Sequence, residues 1–550
     1  MSTGRLDPAE RRRALDRLTE GELDVLVIGG GVVGAGAALD AATRGLTVGL
    51  LERRDWASGT SSRSSRLAHG GLRYLEQLEF GLVHEALSER GLLLDKLAPH
   101  LVRPVPFLLP LTRGWQRPYV GAGVALYDVL SRVSRRGGAL PGHRHLSRSA
   151  TLNLAPGLNP EALTGAIGFF DAQIDDVRHT LALVRTAVAH GVLATSGVEV
   201  TRLLRDGDRV LGVEAADRDD DRRLTIRARR TIAAMGVWTD GISAMLQGES
   251  PRTATVQPSK GVHLVVPRDA IDLRTAVIAR TPASVLFLLP WGPHWLVGTT
   301  DTPWSGDRDE PEATPDDIDY LLDQANRWLV RPLRRDDIVS TYVGLRPLLA
   351  GDGDDETTKL SREHAVGRPA PGLVTITGGK YTTYRVMAAD AVDAAVAGLS
   401  GRVPPSRTSD VVLLGAENYA EVAEQRDFIA AEAGLSVPQV RRLLHRYGDL
   451  VPELLALAAD NPTLLQAAHS DSWTLNVELL YAVSHEGARS LDDVLRRRTR
   501  VALQTRDRGA SVADAVAGLV SPVLGWDADR AMDEVRRYQH TVAAQQIASV

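Results

Sequence analysis

The sequence predicts an α/β chain: a dinucleotide-binding domain, Rossmann-like in its connections, interrupted by a β-rich substrate domain and followed by a C-terminal all-α domain. Three observations predict it. Residues 24–28 are rich in β-branched side chains, end in three glycines, and pass into small residues at helical spacing. The middle of the chain holds many short strand-like runs and few long helical patterns. After a linker at 401–409 with two prolines, the apolar pattern is helical to the end.

The elements follow in order. Residues 1–22 form a polar, partly helical lead. The run 24–28 is a strand, and Ala35, Ala38, Leu39 and Ala42 then mark a helix that Gly45 stops. Residues 46–51 are a second apolar strand ending on Glu52, so strand, turn, helix and strand make a βαβ unit with a parallel pair. Residues 57–74 are a Ser/Thr/Gly-rich loop, and helical spacing returns over 77–98. Strand patterns cover 198–204, 210–215, 224–228, 231–234, 262–266, 285–289 and 295–299, and a late strand at 373–377 precedes a helix over 383–399. The nucleotide-binding domain is expected from about 22–115, 165–255 and 340–400, within an oxidoreductase region spanning 22–405. The helical domain is expected over 410–550, with Ser490 and Asp493 as a helix start.

Composition narrows the function. At 550 residues, two or three domains are expected. A net charge of −5 argues against a general nucleic-acid binder. With no cysteine, disulfides and thiolate metal ligands are excluded, so any redox chemistry must come from a bound cofactor. No metal is expected. The charged N-terminus is not a secretory signal, and no run reaches about 18 apolar residues. The chain is expected in the cytoplasm or on the cytoplasmic face of a membrane.

Gly29-Gly30-Gly31-Val32-Val33-Gly34 fits G-x-G-x-x-G, in a strand-to-helix turn with Glu52 about 20 residues on. Gly29 permits the tight turn, Gly31 lets the backbone approach a pyrophosphate, and Gly34 lets helix and strand pack closely. The N–H groups that open the helix face the phosphates. Glu52 accepts from ribose hydroxyls and repels a 2′-phosphate, which disfavours NADP. A second glycine pair, Gly121 and Gly123, follows no strand and reads as small residues in a helix. Two features favour FAD over NAD. The hydroxyl-rich run Thr60-Ser61-Ser62-Arg63-Ser64-Ser65 can wrap an extended dinucleotide, and Thr377-Gly378-Gly379-Lys380 forms a second clamp before a helix.

The residues then become specific. His69-Gly70-Gly71-Leu72-Arg73-Tyr74-Leu75 resembles the signature of FAD-dependent glycerol-3-phosphate dehydrogenases. Lys260-Gly261-Val262-His263, Gly298-Thr299-Thr300-Asp301, Gly344-Leu345-Arg346-Pro347, Gly378 to Arg385, and Asp493 to Thr499 agree with that family in order. The resemblance covers about residues 22–505. It implies an FAD-binding domain of the glutathione-reductase and amino-acid-oxidase type, oxidation of sn-glycerol 3-phosphate to dihydroxyacetone phosphate, and electrons passed to a membrane quinone. Where the family commonly has Ala-Thr-Gly, this chain reads Ala234-Met235-Gly236.

A phosphorylated secondary alcohol needs cations for the phosphate and a group for the alcohol proton. Arg73 and Arg346 are the phosphate candidates, because a guanidinium captures phosphate oxygens bidentately. His263 is the natural general base, and Arg346 can steady a forming alkoxide; which group takes the proton stays open. Lys380 is expected beside the flavin. Tyr74 and Thr382 are expected to hydrogen-bond substrate, flavin or both, and Lys260 is expected at the substrate. His69 is a flavin contact or a packing residue, and Gly70, Gly71, Val198, Gly236 and Gly379 complete the cofactor contacts.

Trp115, Tyr119, Val124, Tyr127 and Leu130 recur at helical spacing among Arg113, Arg117, Arg132, Arg135 and Arg136. That pattern suits an interfacial helix on anionic lipid, or a core-facing helix with a basic end. Peripheral attachment to membrane lipid follows from the resemblance, and a homodimer is one further expectation. The rival functions are an oxidase that returns electrons to O₂ as hydrogen peroxide, a non-catalytic membrane flavoprotein, and an amino-acid oxidase of similar fold, which would not need the His-Gly-Gly-Leu-Arg-Tyr signature.

Overall fold

The computed structural model describes residues 4–133, 140–246, 255–282, 284–349, 363–399 and 401–548. Two sheets share the first two-thirds of the chain, and helices make up the rest.

The first sheet is the predicted βαβ unit extended. Strand Glu22–Ile28 lies parallel between Val48–Glu52 and the second half of Arg223–Ala233. Leu193–Ser196 and Leu373–Gly378 continue the parallel sheet on either side, and His364–Ala370 closes one edge antiparallel. Strands buried on both faces need continuous apolar runs, and Val25, Leu26 and Val27 have no exposed surface. Helix Val32–Thr43 covers one face and packs on helices Asp176–Ala189 and Tyr384–Val396. Its small residues allow that close contact. The lead helix Pro8–Glu20, capped by Asp7, covers the other face with Ala14, Leu15 and Leu18.

The runs 224–228 and 231–234 form one strand, Arg223–Ala233. No turn residue separates them, so the strand pairs antiparallel with Arg209–Asp217 and then parallel with Glu22–Ile28. The helix expected over 77–98 is α-helical over Phe80–Leu92 and widens to a π turn over Leu93–Leu97.

Among the described residues the second sheet has ten strands. Val102–Leu111, Gly165–Ile174 and Ser340–Leu349 all belong to it, so the two sheets interleave along the chain more finely than the expected blocks. Its central pairing runs antiparallel from Val256↔Leu349 to Val265↔Ser340. Side chains alternate across a strand. Val262, Leu264 and Val266 therefore enter the core under helix Pro315–Asn326, while Gly261 and His263 face the first sheet.

The helical domain has its own cores around Val494, Val516 and Val520 and around Leu443, Leu454 and Tyr481. It joins the first sheet's domain through buried ion pairs. Asp55 takes Arg497 at 2.5 Å and Arg498 at 2.7 Å. Burial opposes ionisation of Asp55, but Arg498 and Arg497 outweigh it and hold its carboxyl below the usual range.

Candidate functional site

The glycine turn behaves as its chemistry requires. Gly29 has φ 110, and a Cβ there would lie 2.5 Å from the Ala234 carbonyl oxygen. A Cβ on Gly34 would lie 1.9 Å from the Gly29 carbonyl oxygen, so helix and strand are in contact at that point. Gly31 lines the cleft, and Ser61 Oγ accepts from the next amide, Val32 N–H, at 2.9 Å. Glu52 sits at the same end. Its carboxylate accepts from Gly30 N–H at 2.8 Å and Arg54 N–H at 2.7 Å, and burial raises its pKa.

From Glu52 the cleft runs between the two sheets, with a volume of about 570 Å³. Glu52, Val198, Met235 and Gly236 line it, as do Gly379, Lys380, Tyr74, His263 and Arg346. Met235 takes the place of the family's threonine as a half-buried wall residue. The glycine turn, the buried carboxylate and the volume of the cleft fit an extended dinucleotide such as FAD.

At the far end, strand register assembles the chemistry. His263 pairs with Tyr342, and Ser259 pairs with Arg346, so His263 and Arg346 project from one face with Gly261 opposite Gly344 between them. His263 is 3% exposed, stacks on Tyr342 at 4.7 Å, and shares a 2.8 Å hydrogen bond from Nε2 to Ser65 Oγ. Burial, with Arg346 and Arg66 adding, pushes its pKa down to about 3, so the ring is neutral. Arg346 donates to Thr299 Oγ1 and the Thr300 carbonyl, both at 3.1 Å, and to Asp301 at 3.2 Å. Lys380 Nζ lies 3.5 Å from the centroid of the Tyr74 ring.

The remaining expected residues divide. Thr60, Ser61, Ser64, Ser65 and His69 line the cleft. Ser62 does not; its hydroxyl donates to the Gly59 carbonyl. Gly70 gives its N–H to Tyr127 Oη at 2.8 Å, and Gly71, at φ 78, abuts the Tyr74 ring; both shape the loop behind the cleft wall. Thr382 is buried and donates to the His69 carbonyl at 3.3 Å, tying the two clamps together rather than facing substrate. Arg73 lies on the turn Leu72–Leu75, and its side chain, like Arg135 and Arg136, is outside the described residues.

Lys260 requires a correction. It is three residues from His263, so the pleat sends it to the opposite face. Its Nζ lies 2.5 Å from Asp317 Oδ2, under helix Pro315–Asn326 and away from the cleft. The aromatic stripe also splits. Val124 and Tyr127 are buried against the protein, whereas Trp115 and Tyr119 are 60% and 56% exposed. Sequence reasoning missed Tyr342, Arg66 and Trp238. Tyr342 becomes visible only through its register with His263, and Arg66 is a buried guanidinium 3.9 Å from the centroid of the Trp291 ring. Trp238 lines the cleft under Arg53 and Arg54.

Comparison with known proteins identifies the family. Residues 24–385 match the FAD dependent oxidoreductase family, and residues 406–531 match the C-terminal domain of alpha-glycerophosphate oxidase. The chain is 53% identical to a glycerol-3-phosphate dehydrogenase of Mycobacterium leprae, over 98% of this chain and 91% of that one. It is 34% identical to the human mitochondrial glycerol-3-phosphate dehydrogenase, over 94% and 73%. The crystal structure of the glycerol-3-phosphate dehydrogenase from Bacillus halodurans complexed with FAD superimposes with a TM-score of 0.80 at 30% identity, covering 98% and 97% of the two chains. The chain therefore belongs to the FAD-dependent glycerol-3-phosphate dehydrogenase family, and FAD is its cofactor.

Proposed function

We propose that the chain oxidises sn-glycerol 3-phosphate to dihydroxyacetone phosphate and passes the electrons to a membrane quinone. One observation carries the substrate half: a buried neutral histidine and a guanidinium held by Ser259, Thr299, Thr300 and Asp301 share one face in the lining of the cleft. Bound FAD supplies the acceptor for the hydride that leaves C2. Gly29, Gly31 and Glu52 would hold its adenosine and pyrophosphate, and Gly379 and Lys380 would hold its other end.

Arg346 binds the phosphate, with Arg73 as a second cation. Thr299, Thr300 and Asp301 fix the plane of the Arg346 guanidinium before substrate arrives, so little ordering is left to substrate binding. His263 receives the alcohol proton at Nδ1. In the tautomer that donates Nε2–H to Ser65 Oγ, Nδ1 carries the lone pair, and it has no hydrogen-bond partner among the described residues. Burial depresses the basicity of His263 most, and the charge of Arg346 adds to it. A dianionic phosphate on Arg346 cancels that charge, so the base strengthens only when substrate is bound.

The acceptor half rests on surface chemistry. Trp115 and Tyr119 project into solvent from the start of helix Gln116–Val133, with Leu126 and Val129 further along it and Leu78 and Phe80 also exposed. Such a face suits the interfacial zone of a membrane. Among the described residues no helix is long and apolar enough to cross a membrane.

The test has two parts. Glycerol 3-phosphate added without oxygen bleaches the bound flavin, and His263→Asn slows this by about 10²–10⁴-fold. An unbleached wild-type flavin refutes the substrate. Reoxidation with a soluble quinone analogue then outpaces reoxidation by O₂; stoichiometric peroxide with no quinone reduction refutes the acceptor.

A further inference from the structure

Among the contacts that the helical domain makes with the sheets, Arg500 meets the loop that carries Ser62 and Ser64. Segment Asp493–Arg498 is wound as a π turn, closed by Thr499 N–H on the Val494 carbonyl, and the chain then turns at Arg500 with φ 73. A side chain at positive φ is strained and persists only where its surroundings hold it. Arg500 is 1% exposed and is held by acids of the other domain: its guanidinium lies 3.0 Å from Asp175 and 2.5 Å from Asp176, and it donates to the Ser62 carbonyl at 3.4 Å.

Asp176 passes the contact on. Its Oδ1 takes Arg500, and its Oδ2 accepts from Ser64 N–H at 3.1 Å and Ser64 Oγ at 2.8 Å. Ser64 Oγ accepts in turn from Arg66 N–H at 3.0 Å, and the Ser64 carbonyl accepts from Tyr342 Oη at 3.0 Å. Ser64 is therefore pinned on every polar atom, and the next residue, Ser65, holds His263 Nε2. Tyr342 is also the ring on which His263 stacks.

We infer that Arg500 is a positioning residue for the oxidation: acting through Asp176 and Ser64, it sets the Ser65–His263 hydrogen bond, so the helical domain is a working part of the active site. This rests on the assignment of His263 as the base. Arginine suits the task because one rigid guanidinium grips two carboxylates and a carbonyl at once, whereas lysine offers a single ammonium.

The experiment uses full-length holoenzyme. Arg500→Lys retains the buried charge, so the fold and FAD content are kept, and the rate of anaerobic flavin bleaching by glycerol 3-phosphate falls about tenfold with KM changed less than about twofold. Ser65→Ala lowers the rate comparably, and Arg500→Lys adds nothing further in the Ser65→Ala background, because both cut the same link. Arg500→Ala supplies a second reading: added guanidinium ion restores part of its bleaching rate. A wild-type rate in FAD-replete Arg500→Lys overturns the inference, as do losses that multiply in the double variant. The base assignment is judged separately by His263→Asn. A wild-type rate there removes the base, while the link between Arg500 and Ser65 is still read from the four-variant cycle.

Discussion

Replacing Lys260 with methionine separates a structural lysine from a substrate-binding one. The Lys260 and Asp317 side chains are 7% and 6% exposed and lie 2.5 Å apart. Methionine fills the stem volume and leaves the carboxylate without its cation. Breaking a buried pair from one side costs about 3–5 kcal/mol. Thr314 still donates to Asp317 from its backbone N–H at 2.9 Å and its hydroxyl at 2.8 Å, which places the cost at the lower end, about 3 kcal/mol. For a cooperative unit of roughly 200 residues that lowers Tm by about 7 °C. Lys260→Met/Asp317→Asn removes both charges and recovers most of the loss. Thermal unfolding of the holoenzyme and steady-state kinetics read the two effects. KM for glycerol 3-phosphate stays within about twofold of wild type. A tenfold rise in KM at unchanged Tm would refute the structural assignment and return Lys260 to the substrate.

Gly34→Ala yields protein without flavin, because the new Cβ would stand 1.9 Å from the Gly29 carbonyl oxygen; a normal flavin-to-protein absorbance ratio contradicts this. Glu52→Gln sets an amide N–H₂ against the Gly30 or Arg54 N–H and weakens FAD about 10–100-fold in a titration of apoprotein, from the loss of about 1.5–3 kcal/mol of charged hydrogen bonding. Arg346→Ala raises KM and lowers the bleaching rate while FAD stays bound, as the role proposed for Arg346 at the substrate requires. Acid stability follows from His263, His179 and His100, each pushed to about 3 by burial. The unfolded chain binds these protons near pH 6.5 and the native chain does not. Their contribution is thus intact above that pH and falls as pH drops, by up to about 1.4 kcal/mol per unit for each histidine. Tm measured from about pH 8 down to pH 5 should decline progressively below 6.5; a flat profile would contradict neutral burial of these rings.

The nucleotide half of the site was legible because its rules are local. Gly29, Gly31, Gly34 and Glu52 act through one turn, one helix start and one strand end, and each stands where its spacing placed it. The alternation of strand Val256–Pro267 was legible as well. It separates Lys260 from His263, but a strand pattern does not say which face meets a ligand, and the motif spanning both residues hid the difference. Thr382 and Gly70 sit inside motifs whose other members line the cleft, and only packing shows that these two tie loops together.

The sequence by itself determined the strand–glycine turn–helix of a dinucleotide-binding fold at Gly29–Gly34, that the chain carries the signature of its family, and that a helical domain follows the sheets, since turns, periodicity and short motifs are written in neighbouring residues. Tertiary structure decided which cations meet at the reacting end. Register sets Arg346 beside His263 across 83 positions, and folding brings Arg500 to Asp176 across 324. Helix and strand periodicities extend only a few residues along the chain. A contact made over hundreds depends on how whole sheets and domains pack, and leaves no local pattern to read.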